Sequence, residues 1–385
     1  MLQSCYIDIL GICNPVLGSR TTILSVKPLL LPDTKTIHQR LLVILLDYSA
    51  CKLPATMNET TVRTIFLGHK RDGSGGVAQK YIQCSHGKFN LNTTAFKVIT
   101  VRSNCTDDAV KKCAYWRIAE DGDIVSKKVL GETGFAGFTH YVYIIPGGMS
   151  NRCPWAGLAH LPGEQIWLQS STYGVNRWAT IMQEALHNYG LWHSWQGGYE
   201  YEDYSTSMGR GDACPNAAEL AYLGWATPAP GGDRIDSKTL RPGTGLTFSL
   251  PATYLSPEGN YLRVVPDWLP SYKNSSQAKN LYIAVRVNKS GDGSLISLYS
   301  NKLNLHEVNA TMDNDPDTYI YSDRKITFFN AITPQNRTDF AIYKLIVYGG
   351  SWVGKDILKV HLCRYQNSPT ECPTLRALEK RKLLE

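Results

Sequence analysis

A short segment of the sequence has the residue types and the spacing of a metal-dependent hydrolytic site. Gln183 and His187 are four residues apart, so their side chains would project from the same face of an α-helix. Zinc proteases place two ligands in this way. Gly190 can turn the chain sharply in a left-handed conformation, so that His193 returns toward the helix as a third ligand. The segment therefore predicts a zinc site formed by Gln183, His187 and His193.

Glu184 and Met208 have different predicted roles. Glu184 is offset from Gln183 by about 100° around a helix, so its carboxylate would lie beside the metal and not on it. This position suits a general base that takes a proton from the attacking water and passes it to the leaving amine. Met208 lies in a polar turn fifteen residues after His193, and we interpret it as an apolar floor beneath the metal, not as a ligand. The predicted chemistry is metal-assisted hydrolysis of a peptide bond.

The spacing matches the metzincin pattern H-E-x-x-H-x-x-G-x-x-H with its Met-turn, except that Gln183 replaces the first histidine. A glutamine amide offers a neutral carbonyl oxygen, which is a weaker zinc donor than imidazole. Three outcomes are open: weaker zinc binding through Gln183, binding of another ion such as copper, or an inactive site in a binding protein. The presence of Glu184 argues against an inactive site, because such a site gains nothing from a base.

The chain resembles the gametolysin-like metallopeptidases of green algae, peptidase family M11. The resemblance spans residues 40–365 and is strongest at residues 183–194, 204–209 and 216–225, with fainter similarity at residues 83–88 and 360–364. It implies an extracellular metzincin that digests hydroxyproline-rich cell-wall glycoproteins. It also implies Glu184 as the base, with His187 and His193 as metal ligands.

The elements around the motif predict an α+β protein with two domains after a leader. Apolar residues at helical spacing from Trp178 to Tyr189 predict a helix, which Asn176 would cap and Gly190 would end. Strands are expected at residues 41–46, 64–67, 95–101, 140–145, 165–169, 282–287, 295–299, 318–321, 326–329, 341–347 and 357–362.

A proline- and glycine-rich joint at residues 227–233 suggests a domain boundary. We expect a leader or pro-segment remnant at residues 1–39 and a metzincin-like catalytic domain at residues 40–228. That domain would contain a mixed twisted sheet and the active-site helix. A β-sandwich-like C-terminal domain would then occupy residues 229–385.

Composition points to the secretory pathway. Ten cysteines fall into segments that each hold an even number, and we expect disulfide pairs Cys105–Cys113 and Cys363–Cys372. N-glycans are expected because seven Asn-x-Ser/Thr sequons occur, at Asn58, Asn92, Asn104, Asn274, Asn288, Asn309 and Asn336. No signal peptide is visible at the N-terminus, and no apolar run reaches the ~20 residues of a membrane helix.

The net charge of +7 is spread along the chain, which disfavours nucleic-acid binding and allows weak attraction to acidic polysaccharide. The main alternative function is an inactive extracellular matrix glycoprotein that binds wall polymers. A metal-dependent hydrolase of ester or glycan bonds is a more remote one. Asp203, Tyr204 and Arg210 are candidate substrate contacts or ordinary turn residues. The histidines outside the motif are expected to be structural or surface residues, namely His140, His160, His306 and His361.

Overall fold

The computed structural model describes residues 5–7, 13–15, 36–273 and 276–380. Residues Met1–Leu30 form a separate unit with two short antiparallel strands, and residues Leu31–Glu385 form the main body. The predicted leader at residues 1–39 falls largely outside the described residues and stays a prediction. No helix in the described part of the chain is long and apolar enough to cross a bilayer.

The helices and strands alternate in the first half of the chain, and strands dominate the second half. The strands are β1 Cys5–Ile7, β2 Cys13–Pro15, β3 Ile37–Gln39, β4 Leu41–Asp47, β5 Phe89–Leu91, β6 Lys97–Arg102, β7 His140–Ile145, β8 Gly157–Ala159, β9 Gln165–Gln169, β10 Trp195–Gln196, β11 Tyr199–Glu200, β12 Gly245–Pro251, β13 Tyr261–Val264, β14 Lys279–Arg286, β15 Lys302–Asn309, β16 Thr327–Ile332, β17 Asn336–Phe340, β18 Leu345–Val353 and β19 Ile357–Arg364. The helices are α1 Glu59–Leu67, α2 Gly76–Ser85, α3 Asp107–Val110, α4 Tyr115–Leu130, α5 Glu132–Ala136, α6 Trp178–His187, α7 Ala217–Tyr222, α8 Ala310–Asn314 and α9 Leu375–Lys380.

A five-stranded sheet in the order β6-β4-β7-β9-β8 forms the centre of the first half. Its first four strands are parallel and β8 is an antiparallel edge strand. Alternate side chains of β4 pack into two clusters, one with α1, α2 and α6 and the other with α4 and α5. Burial on both faces explains why β4 is apolar at every position from Leu41 to Leu46.

Two sheets form the second half, and their pairings are antiparallel except for the parallel pair β10–β16. One has the order β11-β10-β16-β15-β14-β13 and the other has the order β12-β19-β18-β17. Both sheets contribute side chains to one hydrophobic cluster, including Leu281 and Leu303 from the first and Val347 and Leu362 from the second. β10 and β11 come from residues 195–200, so the larger sheet includes strands from both sides of residue 228.

The mixed α+β class is confirmed, as are strands at 41–46, 95–101, 140–145, 165–169, 326–329 and 357–362 within one or two residues at most boundaries. The strand predicted at residues 64–67 is wrong, because this segment is the end of α1. Asn58 caps that helix by accepting a hydrogen bond from the Thr61 amide. The strands predicted at 295–299 and 318–321 are also wrong, since both segments are turns. Leu295 and Tyr299 are buried as members of a small loop cluster and not as strand residues.

Candidate active site

Helix α6 carries the first part of the motif and is almost completely buried. Residues Ala179 to His187 are all buried, so burial extends beyond the predicted apolar stripe to the other faces of the helix. The predicted N-cap Asn176 is wrong: Arg177 is the N-cap, and the Asn176 side chain donates to the Ser171 carbonyl at 3.0 Å. The helix ends at His187, and Gly190 follows with φ of 89° in the left-handed region.

Gly190 is also closely packed. A Cβ atom at this position would lie 2.5 Å from the Tyr222 hydroxyl oxygen. The amide of Leu191 donates to the Leu186 carbonyl at 3.3 Å, which closes the end of the helix. The predicted role of Gly190 in turning the chain back is therefore confirmed.

The turn brings His187 and His193 together, with ring centroids 4.7 Å apart and the rings nearly perpendicular. His187 Nδ1 lies 2.6 Å from the Leu191 carbonyl oxygen, and His193 Nδ1 lies 2.7 Å from Glu200 Oε1. An oxygen acceptor at Nδ1 holds the proton there, so each neutral ring presents the Nε2 lone pair. This is the hydrogen-bonding arrangement that orients histidine ligands in metal sites.

Both rings are held in the neutral form. Burial and the nearby His193 lower the pKa of His187 to about 3, although its bond to the Leu191 carbonyl opposes the shift. Burial also lowers the pKa of His193, against the opposing effect of Glu200. Neutral imidazoles are the form that binds a metal ion, because a protonated ring has no free lone pair.

Gln183 lies one helical turn before His187 on α6 and is 8% exposed. The His, Cys, Asp and Glu side chains of the described residues form no group of three that could hold a metal ion. A three-ligand site built on His187 and His193 therefore requires a third donor of another type, and Gln183 has the spacing for it.

Glu184 is 5% exposed, and burial raises its pKa to about 8. Its carboxylate lies against Gly157 of the edge strand β8, where a Cβ atom would be 2.5 Å from Glu184 Oε1. The Tyr201 ring contacts His193 in a tilted arrangement with centroids 4.0 Å apart, and Glu184 contributes to raising the Tyr201 pKa after burial and Glu200. Tyr201 is therefore close to both the Glu184 carboxylate and the His193 ring.

Met208 is completely buried, and its carbonyl oxygen accepts a hydrogen bond from the Ser194 amide at 2.9 Å. Ser194 directly follows His193, so this bond connects the Met-turn to the histidine loop. The Met208 amide donates to Thr206 Oγ1 at 3.1 Å, and that hydroxyl donates to Glu219 Oε2 at 2.5 Å. Glu219 and Asn216 also form a capping box at the start of α7.

Asp203 is buried and has a structural role, so a substrate contact by this residue is excluded. It accepts hydrogen bonds from Ser194 Oγ at 2.7 Å and the Ser205 amide at 2.8 Å, and lies 3.2 Å from His306 Nε2. Burial alone would raise the pKa of Asp203, but His306, Ser194 and Ser205 outweigh burial and lower it. Tyr204 is 38% exposed and the side chain of Arg210 is 57% exposed; substrate contact by either residue stays a prediction.

Sequence reasoning missed two residues that hold the Met-turn, Glu219 and His306. The Asn-x-x-Glu spacing of Asn216 and Glu219 is a capping-box pattern and could have revealed the first. His306 comes from β15, where a register shift between Leu305 and His306 interrupts the ladder. No local signal places it beside Asp203. The expectation that His306 is structural is confirmed by its burial and hydrogen bonds.

Comparisons with known proteins identify the family of this chain. Residues 40–341 match the family described as gametolysin peptidase M11, so the chain belongs to that family. It is also similar to the autolysin of Chlamydomonas reinhardtii, with 26% identity over 261 residues. That match covers 50% of this chain and 41% of the autolysin, so the chain aligns with less than half of the relative.

Proposed function

We propose that this protein is a metal-dependent endopeptidase. The observation that carries the proposal is the arrangement of His187 and His193. Their Nδ1 atoms are engaged by a carbonyl and a carboxylate, so each neutral ring presents Nε2 to a metal ion, and the buried Glu184 lies on the same helix as His187. Membership of the M11 peptidase family implies a metal ion and a protein substrate.

Gln183, His187 and His193 would hold the ion, which we propose to be zinc, with copper as the alternative that a glutamine oxygen allows. When bound, such an ion supplies Lewis-acid polarisation of the scissile carbonyl. In its ionised form, Glu184 takes the proton of the attacking water and delivers it to the leaving amine. Met208 would form an apolar floor beneath the ion, and its carbonyl oxygen holds the histidine loop through the Ser194 amide.

Edge strand β8 offers a way to hold an extended peptide. It pairs with β9 on one side, and no other strand of the described residues pairs with its second side. Gly157 of the same strand contacts Glu184. A substrate that adds to this edge by main-chain hydrogen bonds would therefore pass the proposed base.

We further propose a metzincin-like catalytic domain at residues 40–228 and a β-sandwich-like domain at residues 229–385. The first is supported by the five-stranded sheet with its antiparallel edge strand next to α6. The second is supported by the hydrophobic cluster that the six-stranded and four-stranded sheets share.

Secretion into the extracellular matrix or cell wall is part of the same proposal, with hydroxyproline-rich glycoprotein as the substrate class. Four disulfides in the described residues support an oxidising compartment. Asn58, Asn104, Asn288 and Asn336 are exposed, as N-glycan acceptors must be. Asn92 and Asn309 are half-buried, and Asn274 lies outside the described residues.

The substitution Glu184→Gln tests the proposal, because it removes the base and keeps the shape of the side chain. We expect peptidase activity on gelatin or a proline-rich peptide to fall by at least about 100-fold, with metal content and melting temperature retained. Glu132→Gln is the matched control, since that side chain is 80% exposed and should keep full activity. A chelator should abolish the activity of the parent protein.

Activity of Glu184→Gln within tenfold of the parent would remove Glu184 from the mechanism. A parent protein that binds wall glycoprotein and cuts no peptide, with or without added metal, would instead support the inactive matrix glycoprotein.

A further inference from the structure

A second cavity lies between α7 and the six-stranded sheet, next to a small cleft that Tyr222 and Arg324 share with His193. Its volume is about 420 Å³, within the range of small-molecule sites. Gln183, Glu184, His187 and His193 do not line it. Three tyrosine side chains, from Tyr222, Tyr261 and Tyr282, contribute to its wall.

Arg324 lines this cavity and lacks the partners that a buried cation normally has. The residue is 8% exposed, and its guanidinium lies 4.4 Å from the centroid of the Tyr222 ring. Its Nε is buried without a hydrogen-bond partner, and the Pro316 carbonyl lies at 3.5 Å from its other end. Burial lowers the pKa of Arg324, although Tyr222 and Asp313 oppose the shift.

The neighbouring Arg263 lines the same cavity and, unlike Arg324, has acidic and amide side chains as hydrogen-bond partners. Its Nε lies 2.7 Å from Asp313 Oδ2, and its terminal nitrogen donates to Asn314 Oδ1 at 2.6 Å. Tyr282 donates to the other oxygen of Asp313 at 2.7 Å. Asp313 is therefore already engaged by hydrogen bonds, and in the part of the chain that the structure describes Arg324 forms no ion pair.

We propose that this cavity binds a sugar acid, a pyranose ring that bears one carboxylate. The carboxylate pairs with Arg324, because a guanidinium matches carboxylate geometry and the buried charge lacks an anion. The tyrosine rings pack against the apolar face of the sugar, and exposed Asp233 and Asp317 at the rim accept hydrogen bonds from its hydroxyl groups.

The charges around the cavity favour a single carboxylate over a phosphate. Three arginines also line it, but Arg234 pairs with Asp236 and Arg263 pairs with Asp313, so of the three Arg324 remains as a single cation for one anionic charge. Asp233 and Asp317 can accept hydrogen bonds from hydroxyl groups. The net charge of +7 favours the approach of an acidic polysaccharide chain that carries such units. Binding of the sugar acid does not require that the protein is a peptidase.

Calorimetric titration of the purified protein with digalacturonate tests the proposal, with its dimethyl ester as the uncharged partner. We expect saturable binding of the acid and at least tenfold weaker binding of the ester. The comparison uses the parent protein alone, so it does not depend on the folding of any variant. Equal affinity for acid and ester, or no binding of the acid at 10 mM (on the order of the weakest site worth assigning), would overturn the proposal.

Two substitutions test whether the ligand binds at Arg324. Arg324→Gln should weaken digalacturonate binding at least tenfold, because it removes the charge and keeps much of the side-chain length. Arg337→Gln should leave the affinity within twofold, although it removes the same charge from a guanidinium stacked near another tyrosine, Tyr348. Parental affinity in Arg324→Gln would place the ligand elsewhere.

A peptide C-terminus could supply the same carboxylate, and an N-acetylated dipeptide with a free carboxylate tests this alternative. We expect it to bind at least tenfold more weakly than digalacturonate, because it has no pyranose hydroxyl groups for the aspartates. Tighter binding of the dipeptide would show that the cavity recognises a peptide C-terminus, which would overturn the sugar acid.

Discussion

The chemical identity of residue 183 controls how strongly the proposed site binds metal. An imidazole nitrogen is a stronger zinc donor than an amide oxygen, and the four-residue spacing to His187 is already that of a ligand pair. We therefore predict that Gln183→His raises zinc affinity by about tenfold or more. Competition titration against a zinc chelator measures this change.

Gln183→Ala is the companion variant, since it removes the donor and leaves two histidines. Its zinc affinity should fall below that of the parent. Any order other than His above Gln above Ala would mean that residue 183 does not face the metal. Activity need not rise in Gln183→His, because stronger charge donation makes the ion a weaker Lewis acid.

Gly157 is the residue whose lack of a side chain matters most to Glu184. A Cβ atom at this position would lie 2.5 Å from Glu184 Oε1 and 2.6 Å from its Cγ, so the carboxylate would have to move. We predict that Gly157→Ala lowers kcat by about tenfold or more, since displacement of a base by about 1 Å can be that costly. Peptidase assays with metal saturation measure the effect.

Gly134→Ala serves as the control for Gly157→Ala. Gly134 lies in α5, and its added Cβ would meet the Leu130 side chain at an ordinary 3.5 Å. This variant should keep the parental kcat. A Gly157→Ala protein with parental kcat would show that Glu184 tolerates the displacement or that β8 moves away.

Helix α7 supports the Met-turn through one buried carboxyl group. Burial, opposed by the Thr206 hydrogen bond, raises the pKa of Glu219 to about 8. The folded state therefore keeps this proton at a pH where the unfolded chain has lost it. Stability from this group is complete below the unfolded pKa of about 4.3 and is lost as pH rises toward 8.

We predict that Glu219→Gln flattens this dependence, because the amide does not titrate. The decrease in the free energy of unfolding between pH 5 and pH 8 should become smaller by up to a few kcal/mol. Urea denaturation across this range measures it. The exposed Glu258→Gln should leave the slope unchanged, and an unchanged slope in Glu219→Gln would show that this carboxyl group ionises normally in the folded protein.

Local sequence patterns correctly predicted the helices and strands that are buried along most of their length. β4, β7 and β9 are apolar runs inside a parallel sheet, and α6 has an unbroken apolar stripe. Residues 64–67 misled the prediction, because their β-branched and aromatic residues suit a strand. The Asn58 cap and packing of Val62 and Phe66 in the core favour a helix instead.

In the candidate active site, too, local patterns predicted contacts between residues close in sequence but not contacts between distant ones. The motif spacing predicted His187 and His193 as neighbours, since both positions follow from one helix and one turn. The contact of His306 with Asp203 joins residues 103 positions apart and depends on how β15 pairs. The contact of Gly157 with Glu184 depends equally on the order of strands in the sheet. Neither can be read from periodicity.

Across the whole molecule, Cys214 joins three parts of the structure near the Met-turn. It forms a disulfide with Cys84 of α2, and its amide donates to Asp292 Oδ1 at 2.8 Å. Arg286 of β14 donates to the Cys214 carbonyl at 3.0 Å and forms a buried ion pair with Asp292 at 2.6 Å. The C-terminal strands therefore contribute directly to the surroundings of the candidate active site.

The disulfide pattern corrects one expectation and confirms another. Cys363–Cys372 is confirmed, whereas Cys105–Cys113 is wrong. Cys105 pairs with Cys51 and Cys113 pairs with Cys153. Proximity in sequence favoured the local pair, but α3 begins between the two cysteines and directs them to different partners.

We predict that the Cys84–Cys214 bond stabilises the protein more than Cys363–Cys372 does, because it closes a loop of 130 residues and not 9. Loop-closure entropy gives about 5 kcal/mol for the first and about 3 kcal/mol for the second. Urea denaturation of Cys84→Ala/Cys214→Ala and Cys363→Ala/Cys372→Ala measures both, and peptide mapping of unreduced protein checks the pairings. Both cysteines of each pair are replaced so that no free thiol remains to reshuffle.

A larger loss of unfolding free energy in the Cys363–Cys372 variant would show that the long loop stays compact in the unfolded chain. Four or more free thiols in the native protein would contradict the proposed secretion.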